Sequence, residues 1–159
     1  MLKPGCDSFL KRRMHSTFSI GLAAGVTALL LSAVPAARPA SAQSVKSQWD
    51  GIYTEAQAAR GEKLYAANCA PCHTWNLKGN EIGPALTGPS FAGRWNGKPV
   101  GDLFEYTQAM MPQFSPGGLT RQQNADILAF MLRAGSAPAG RAEFPSRPDG
   151  LASLTFVAR

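Results

Sequence analysis

The sequence predicts a small all-α domain interrupted by one long irregular segment. Residues 54–68 and 120–135 each open on a helix-capping pattern, and residues 100–110 fit a shorter helix between them. Residues 74–99 are instead punctuated by Gly, Pro and Asn, with neither strand alternation nor a long helical period. A bare loop of that length is out of place in a compact domain unless it wraps something. No internal repeat is present.

The elements follow in order. Residues 43–53 are polar and are expected to form a loosely held arm. In the first helix, Thr54 and Gln57 have capping-box spacing, and Glu55 favours the positive helix end. Alanines, Leu64 and Tyr65 form its body. Gly61 is out of character there, because glycine costs about 1 kcal/mol against alanine in a helix interior. The usual reason is a second helix crossing closely where the side chain is missing. The helix at 100–110 carries Leu103, Phe104 and Thr107 on one side, and Pro112 with the Pro116-Gly117-Gly118 turn ends it. The last helix starts at Thr120, again with Gln three residues on. Ile127, Leu128, Phe130 and Met131 form its apolar stripe, Arg133 suits its last turn, and Gly135 its cap. Residues 137–159 form a Pro-rich tail that ends with apolar Leu151, Leu154, Phe156 and Val157.

Residues 1–42 read as a cleaved secretory signal peptide. Lys11-Arg12-Arg13 is its positive region, residues 18–34 are mostly apolar, and Ala40-Ser41-Ala42 is an A-x-A cleavage site, so the exported chain begins at Gln43. An uncleaved membrane anchor is the alternative, but the apolar run is barely long enough to span. The expected location is the periplasm, with membrane association not required. The leader also explains the charge. The chain of 159 residues has a formal charge of +6, but five of its 16 Lys and Arg and one of its 10 acids lie in the leader. Beyond it, 11 bases face nine acids, and no basic stripe argues for nucleic acid. The organisation expected is a leader at 1–42, a domain at 43–136 and a tail at 137–159.

Beyond the leader the chain has two cysteines, Cys69 and Cys72, and one histidine, His73. Cys69-Ala70-Pro71-Cys72-His73 is the C-x-x-C-H pattern of haem c attachment. Two thiols three residues apart at a helix end lie on one face and can both reach the vinyl groups of a planar ring. His73, four residues from Cys69, can then fall under the iron. Zinc would need about four ligands where this run offers three. A thioredoxin-like pair would need a βαβ setting, and a Cys69–Cys72 disulfide would close too small a loop to stabilise much. The expected cofactor is therefore one covalent haem c with its iron.

With no second histidine, the sixth iron ligand comes from Met110, Met111 or Met131, with lysine or water as alternatives. Met131 lies on an apolar stripe and reads as core. Met111 precedes Pro112, which restricts it to extended backbone angles and stiffens the loop presenting it. Met111 is favoured, with Met110 its competitor. Ligation by His and Met fills both axial positions and suits electron transfer.

These residues resemble class I cytochromes c over about 55–135. Gly61, Tyr65, Cys69, Cys72 and His73 stand at that family's N-terminal helix spacing. Ile127 and Phe130 stand where its C-terminal helix packs across the glycine. The resemblance implies that the Pro84 carbonyl, in Ile82-Gly83-Pro84-Ala85-Leu86, accepts the ring N–H of His73 and orients it. It implies that Met111-Pro112 is the axial methionine motif, and that Trp95 contacts a haem propionate, although plain packing accounts for Trp95 as well. More narrowly, Trp95-Asn96-Gly97, Gly101-Asp102-Leu103-Phe104, Met111-Pro112, Pro116-Gly117-Gly118-Leu119 and the tail motifs Pro138-Ala139-Gly140 and Phe144-Pro145 are similar to the cytochrome modules of PQQ-linked (quinohaemoprotein) dehydrogenases. The large catalytic propeller of those enzymes is missing here.

The function implied is that of an electron carrier rather than an enzyme. It would shuttle one electron between a redox protein donor and an acceptor, with a PQQ-linked or similar dehydrogenase as a candidate donor. The alternatives are a haem subunit of a larger respiratory or dehydrogenase complex, and a gas-binding or enzymatic haem protein with a labile sixth site.

Overall fold

The computed structural model describes residues 47–159. The signal peptide expected over 1–42 and the first residues of the arm lie outside the described residues. A 3-10 turn, Gln48–Asp50, leads into α1 (Glu55–Asn68) and α2 (Ala70–His73). After an irregular stretch come α3 (Gly88–Trp95), α4 (Val100–Met110), α5 (Arg121–Ala134) and α6 (Pro148–Leu151). No strand is present among the described residues beyond isolated bridges at Ser47, Pro99 and Thr155. The domain is all-α.

The crossing of α1 and α5 organises the core. Thr54 caps α1, its Oγ1 accepting from Gln57 N at 3.1 Å. At Gly61 a Cβ would overlap the Asp126 carbonyl, so only glycine lets α5 approach at this point. Tyr65 and Phe130 meet just beyond it, ring centroids 5.1 Å apart. The Arg60 guanidinium straddles the Asp126 carboxylate with bonds of 3.0 and 3.1 Å, and Arg133 reaches Glu62 at 2.6 Å. These ion pairs are partly exposed and are each worth less than about 1 kcal/mol. Burial of Ile127, Leu128, Phe130 and Met131 is the larger contribution.

α5 starts with the full capping box of Thr120 and Gln123. It ends where expected, at the C-cap Gly135 (φ −81°), whose N–H donates to Met131 O, and the left-handed residue is the next one, Ser136 (φ 67°). α4 spans the residues expected. Met111 closes it in extended conformation (φ −124°, ψ 150°), as proline requires of the residue before it.

Three expectations are corrected. The segment 74–99 holds a helix, α3. Thr87 stands at its N-cap position, Pro89 is in its first turn, and Phe91 packs on Trp95 one turn later (6.4 Å). Tertiary packing on an apolar face overrides the low helix propensity of its glycines and proline. Residues 47–53 are not a loose arm: Gln48, Ile52 and Tyr53 are buried.

Finally, residues 137–159 are set apart by composition but not by packing, and fall in the same compact unit as the helices. Ala137, Phe144, Leu151, Leu154 and Phe156 are core residues. Gln57 explains part of this. Its side chain does not complete the capping box of α1 but clamps the Phe144 backbone, donating to Phe144 O (3.1 Å) and accepting from Phe144 N (2.5 Å). Further on, Phe156 N donates to Lys98 O, and Val157 O accepts from Gln48 Nε2 and Trp49 Nε1. The last residues thereby tie the 3-10 turn to the α3–α4 corner.

Candidate cofactor site

The site begins where α1 ends. Cys69 caps α1 and precedes α2, which Pro71 helps to start. His73 N and Cys72 N both donate to Cys69 O (2.9 and 3.1 Å), so the five-residue motif is wound into a single turn. Cys69 and Cys72 are half-buried and unpaired, and His73 is buried.

The ring of His73 is held from one side. Its Nδ1 lies 2.7 Å from Pro84 O. A carbonyl can only accept, so Nδ1 carries the proton and donates, leaving Nε2 with a lone pair for a metal. Gly83 permits this approach: a Cβ there would stand 2.8 Å from Cys72 O and 3.0 Å from His73 Nδ1. The loop before it is shaped by Asn80, whose Oδ1 accepts from Ile82 N and Gly83 N at 2.8 and 3.1 Å.

Cys69, Cys72, His73 and Pro84 line a mostly apolar cavity of about 490 Å³, within the range of about 300–1,000 Å³ usual for cofactor pockets. Ile127 and Met131 of α5 and Leu103 of α4 form other walls. Met111 and Pro112 also line it. Met110 does not, and is 53% exposed. Met131 is both core and cavity wall. No lysine lines the cavity among the described residues. Trp95 lines it too, buried, with its ring 5.9 Å from that of Tyr106, so packing and cavity lining coexist at this residue.

The electrostatics narrow the chemistry. Burial pushes the Cys69 thiol up to about 11, with Cys72 adding to the effect. A dithiol redox catalyst needs the opposite, a thiol whose pKa is lowered. Among the described residues no group of three or more His, Cys, Asp or Glu converges as a metal cage. The donor set is therefore two cysteine sulfurs, one oriented imidazole and one thioether around a large apolar space. That set fits a flat, hydrophobic, iron-bearing ring better than a bare ion.

Sequence reasoning missed several cavity residues: Ser90, Phe91 and Arg94 of α3, Tyr106 and Thr107 of α4, and Asn124 of α5. The three on α3 had a readable signal, since Thr87-Gly88-Pro89 is a cap followed by a first-turn proline. The density of Gly and Pro around it hid that pattern.

Residues 56–131 match the family described as cytochrome C oxidase, cbb3-type, subunit III. The match covers a little under half of the chain and spans the C-x-x-C-H turn and Met111. No curated protein matches the chain. Among solved structures, the sulfane dehydrogenase SoxCD from Paracoccus pantotrophus is similar over 72% of this chain, at 22% identity and a TM-score of 0.43. The chain spans 62% of the length of that one.

Proposed function

We propose that this chain, with its cytochrome c-type domain over 56–131, is an exported, periplasmic single-haem electron carrier that accepts from a dehydrogenase, a PQQ-linked one by sequence resemblance. The observation that carries the reading is the convergence of Cys69, Cys72, His73 and Met111 on one apolar cavity, with His73 oriented by Pro84 O. The cofactor, when bound, supplies an iron that cycles between Fe(II) and Fe(III), one electron at a time.

The residues of the chain would act as follows. Cys69 and Cys72 hold the ring by two thioethers. His73 Nε2 would be the nitrogen offered to the iron, while the bond from Nδ1 to Pro84 O keeps the imidazole from turning. Met111 would offer the iron a soft thioether from a stiffened loop. Leu103, Ile127 and Met131 exclude water, which lowers the reorganisation that each change of charge requires. Ligands that stay in place through the cycle suit a carrier rather than an enzyme.

The test is chemical. Acid–acetone should leave the haem with the protein, and haem staining should survive a denaturing gel. Extractable haem, or colour retained in full after both cysteines become serine, overturns the reading. A second reading, a haem subunit of a larger respiratory complex, is favoured by the oxidase subunit named in the family description. Gel filtration of native extract separates the two: a carrier elutes near its own mass, a subunit with its complex.

A further inference from the structure

A second cavity, of about 150 Å³, lies beside the cofactor site. It sits between the start of α3, the end of α5, the 3-10 turn and residues 156–159. Leu128, Met131 and Leu132, neighbours on one face of α5, form its floor with Leu103 and Phe156, and all five are buried. Pro89, Gly135 and Arg159 stand exposed around its mouth. The polar side chains in the lining are already engaged. Gln48 pairs with both the N–H and the carbonyl of Val157 (3.0 and 2.6 Å), and Trp49 Nε1 donates to the same carbonyl at 2.8 Å. Thr87 Oγ1 is turned to Leu77 O, and the Arg159 guanidinium lies over the Trp49 ring, 4.2 Å from its centre. Among the described residues, no acidic side chain lines the cavity.

We propose that this second cavity is a binding site for a small apolar molecule, of the size and class of a single-ring aromatic hydrocarbon. Two observations carry the assignment. Its volume is that at which an apolar cavity takes up benzene or xenon, and its lining leaves no free polar side chain to retain a water or a polar ligand. Phe91 and Phe156, edge to face at 5.8 Å, both line it and offer an aromatic guest the ring contacts it prefers. Leu86, Phe91, Leu103 and Met131 line both cavities. A guest would therefore touch the outer side of the wall that bounds the cofactor site. The assignment does not depend on the haem reading, since Cys69, Cys72, His73 and Met111 all lie outside this lining.

The experiment is uptake of benzene and xenon by the purified holoprotein. Benzene should bind saturably in a calorimetric titration. Ala92 lines this cavity but not the cofactor site. Ala92→Leu fills the space and should weaken benzene binding by about tenfold or more, because the guest loses its contacts with the walls. Xenon-pressurised crystals of the wild type should place xenon among Phe91, Leu128 and Phe156, a result that needs no variant to fold. Benzoate, whose carboxylate finds only the Arg159 cation at the mouth, should bind more weakly than benzene. The proposal is overturned by an absence of saturable benzene uptake, by unchanged affinity in a folded Ala92→Leu, or by xenon confined to the cofactor cavity. Benzoate binding tighter than benzene overturns it as well, because the mouth would then be an anion site. None of these outcomes touches the haem reading, which stands or falls on the gel-stable haem.

Discussion

His73 and Pro84, eleven positions apart along irregular chain, are joined by a contact of 2.7 Å between the imidazole Nδ1 and the carbonyl oxygen. The contact sets the tautomer of the histidine, and it depends on a neighbour with no side chain. Gly83→Ala would press a methyl against Cys72 O and the ring nitrogen at once. We expect it to destabilise the protein by about 1–3 kcal/mol, the usual range for overpacking. Urea unfolding monitored by circular dichroism checks this. Wild-type stability in the variant would mean that the loop yields freely.

Met111 should be separable from its neighbour. The reduced holoprotein should show a methionine methyl resonance far upfield by NMR. Met111→Ala should abolish it, whereas Met110→Ala and Met131→Leu should keep it, because Met110 lies outside the cavity lining and leucine preserves the core role of Met131. Loss of the signal in Met131→Leu alone would transfer the assignment to α5.

Phe144 tests whether the last 23 residues belong to the folding unit. It is buried, stacks with Phe104 at 6.4 Å and has its backbone clamped by Gln57. Phe144→Ala should cost about 3–5 kcal/mol. Phe114→Ala, at a ring 70% exposed, should stay within about 0.5 kcal/mol of wild type. Thermal melts of both variants decide it, and a small effect at Phe144 would detach the segment from the core.

Docking to the electron donor should depend weakly on salt. Over residues 43–159 the charges nearly cancel, and Ile82 and Phe114, which line the cavity, are 75% and 70% exposed. Small apolar contacts suit transient redox encounters. Stopped-flow reduction by the donor across a salt series measures this. A rate that falls about tenfold or more between low and physiological salt indicates electrostatic steering instead.

What the sequence determined by itself was local. Thr54 and Thr120 as caps, the helix at 100–110 that ends before proline, and the winding of the C-x-x-C-H turn all depend on residues within four or five positions of each other, which the chain order states outright. Even the oddity of Gly61 was legible as a demand for close approach, because glycine in a helix interior has a local cost that something else must offset. What only the tertiary structure decided was non-local. α3 forms because Phe91 and Trp95 find an apolar partner surface, and its propensity alone argued against it. The C-terminal segment reads as a tail because proline and polar residues dominate it, yet Phe144, Leu151, Leu154 and Phe156 are buried by groups that stand far from them in the chain. Gln57 shows the difference in one side chain. Its spacing from Thr54 made it a capping residue, and a more buried hydrogen-bonding partner 87 residues away took it instead, because a backbone amide and carbonyl inside the core cost more unpaired than a helix end open to water.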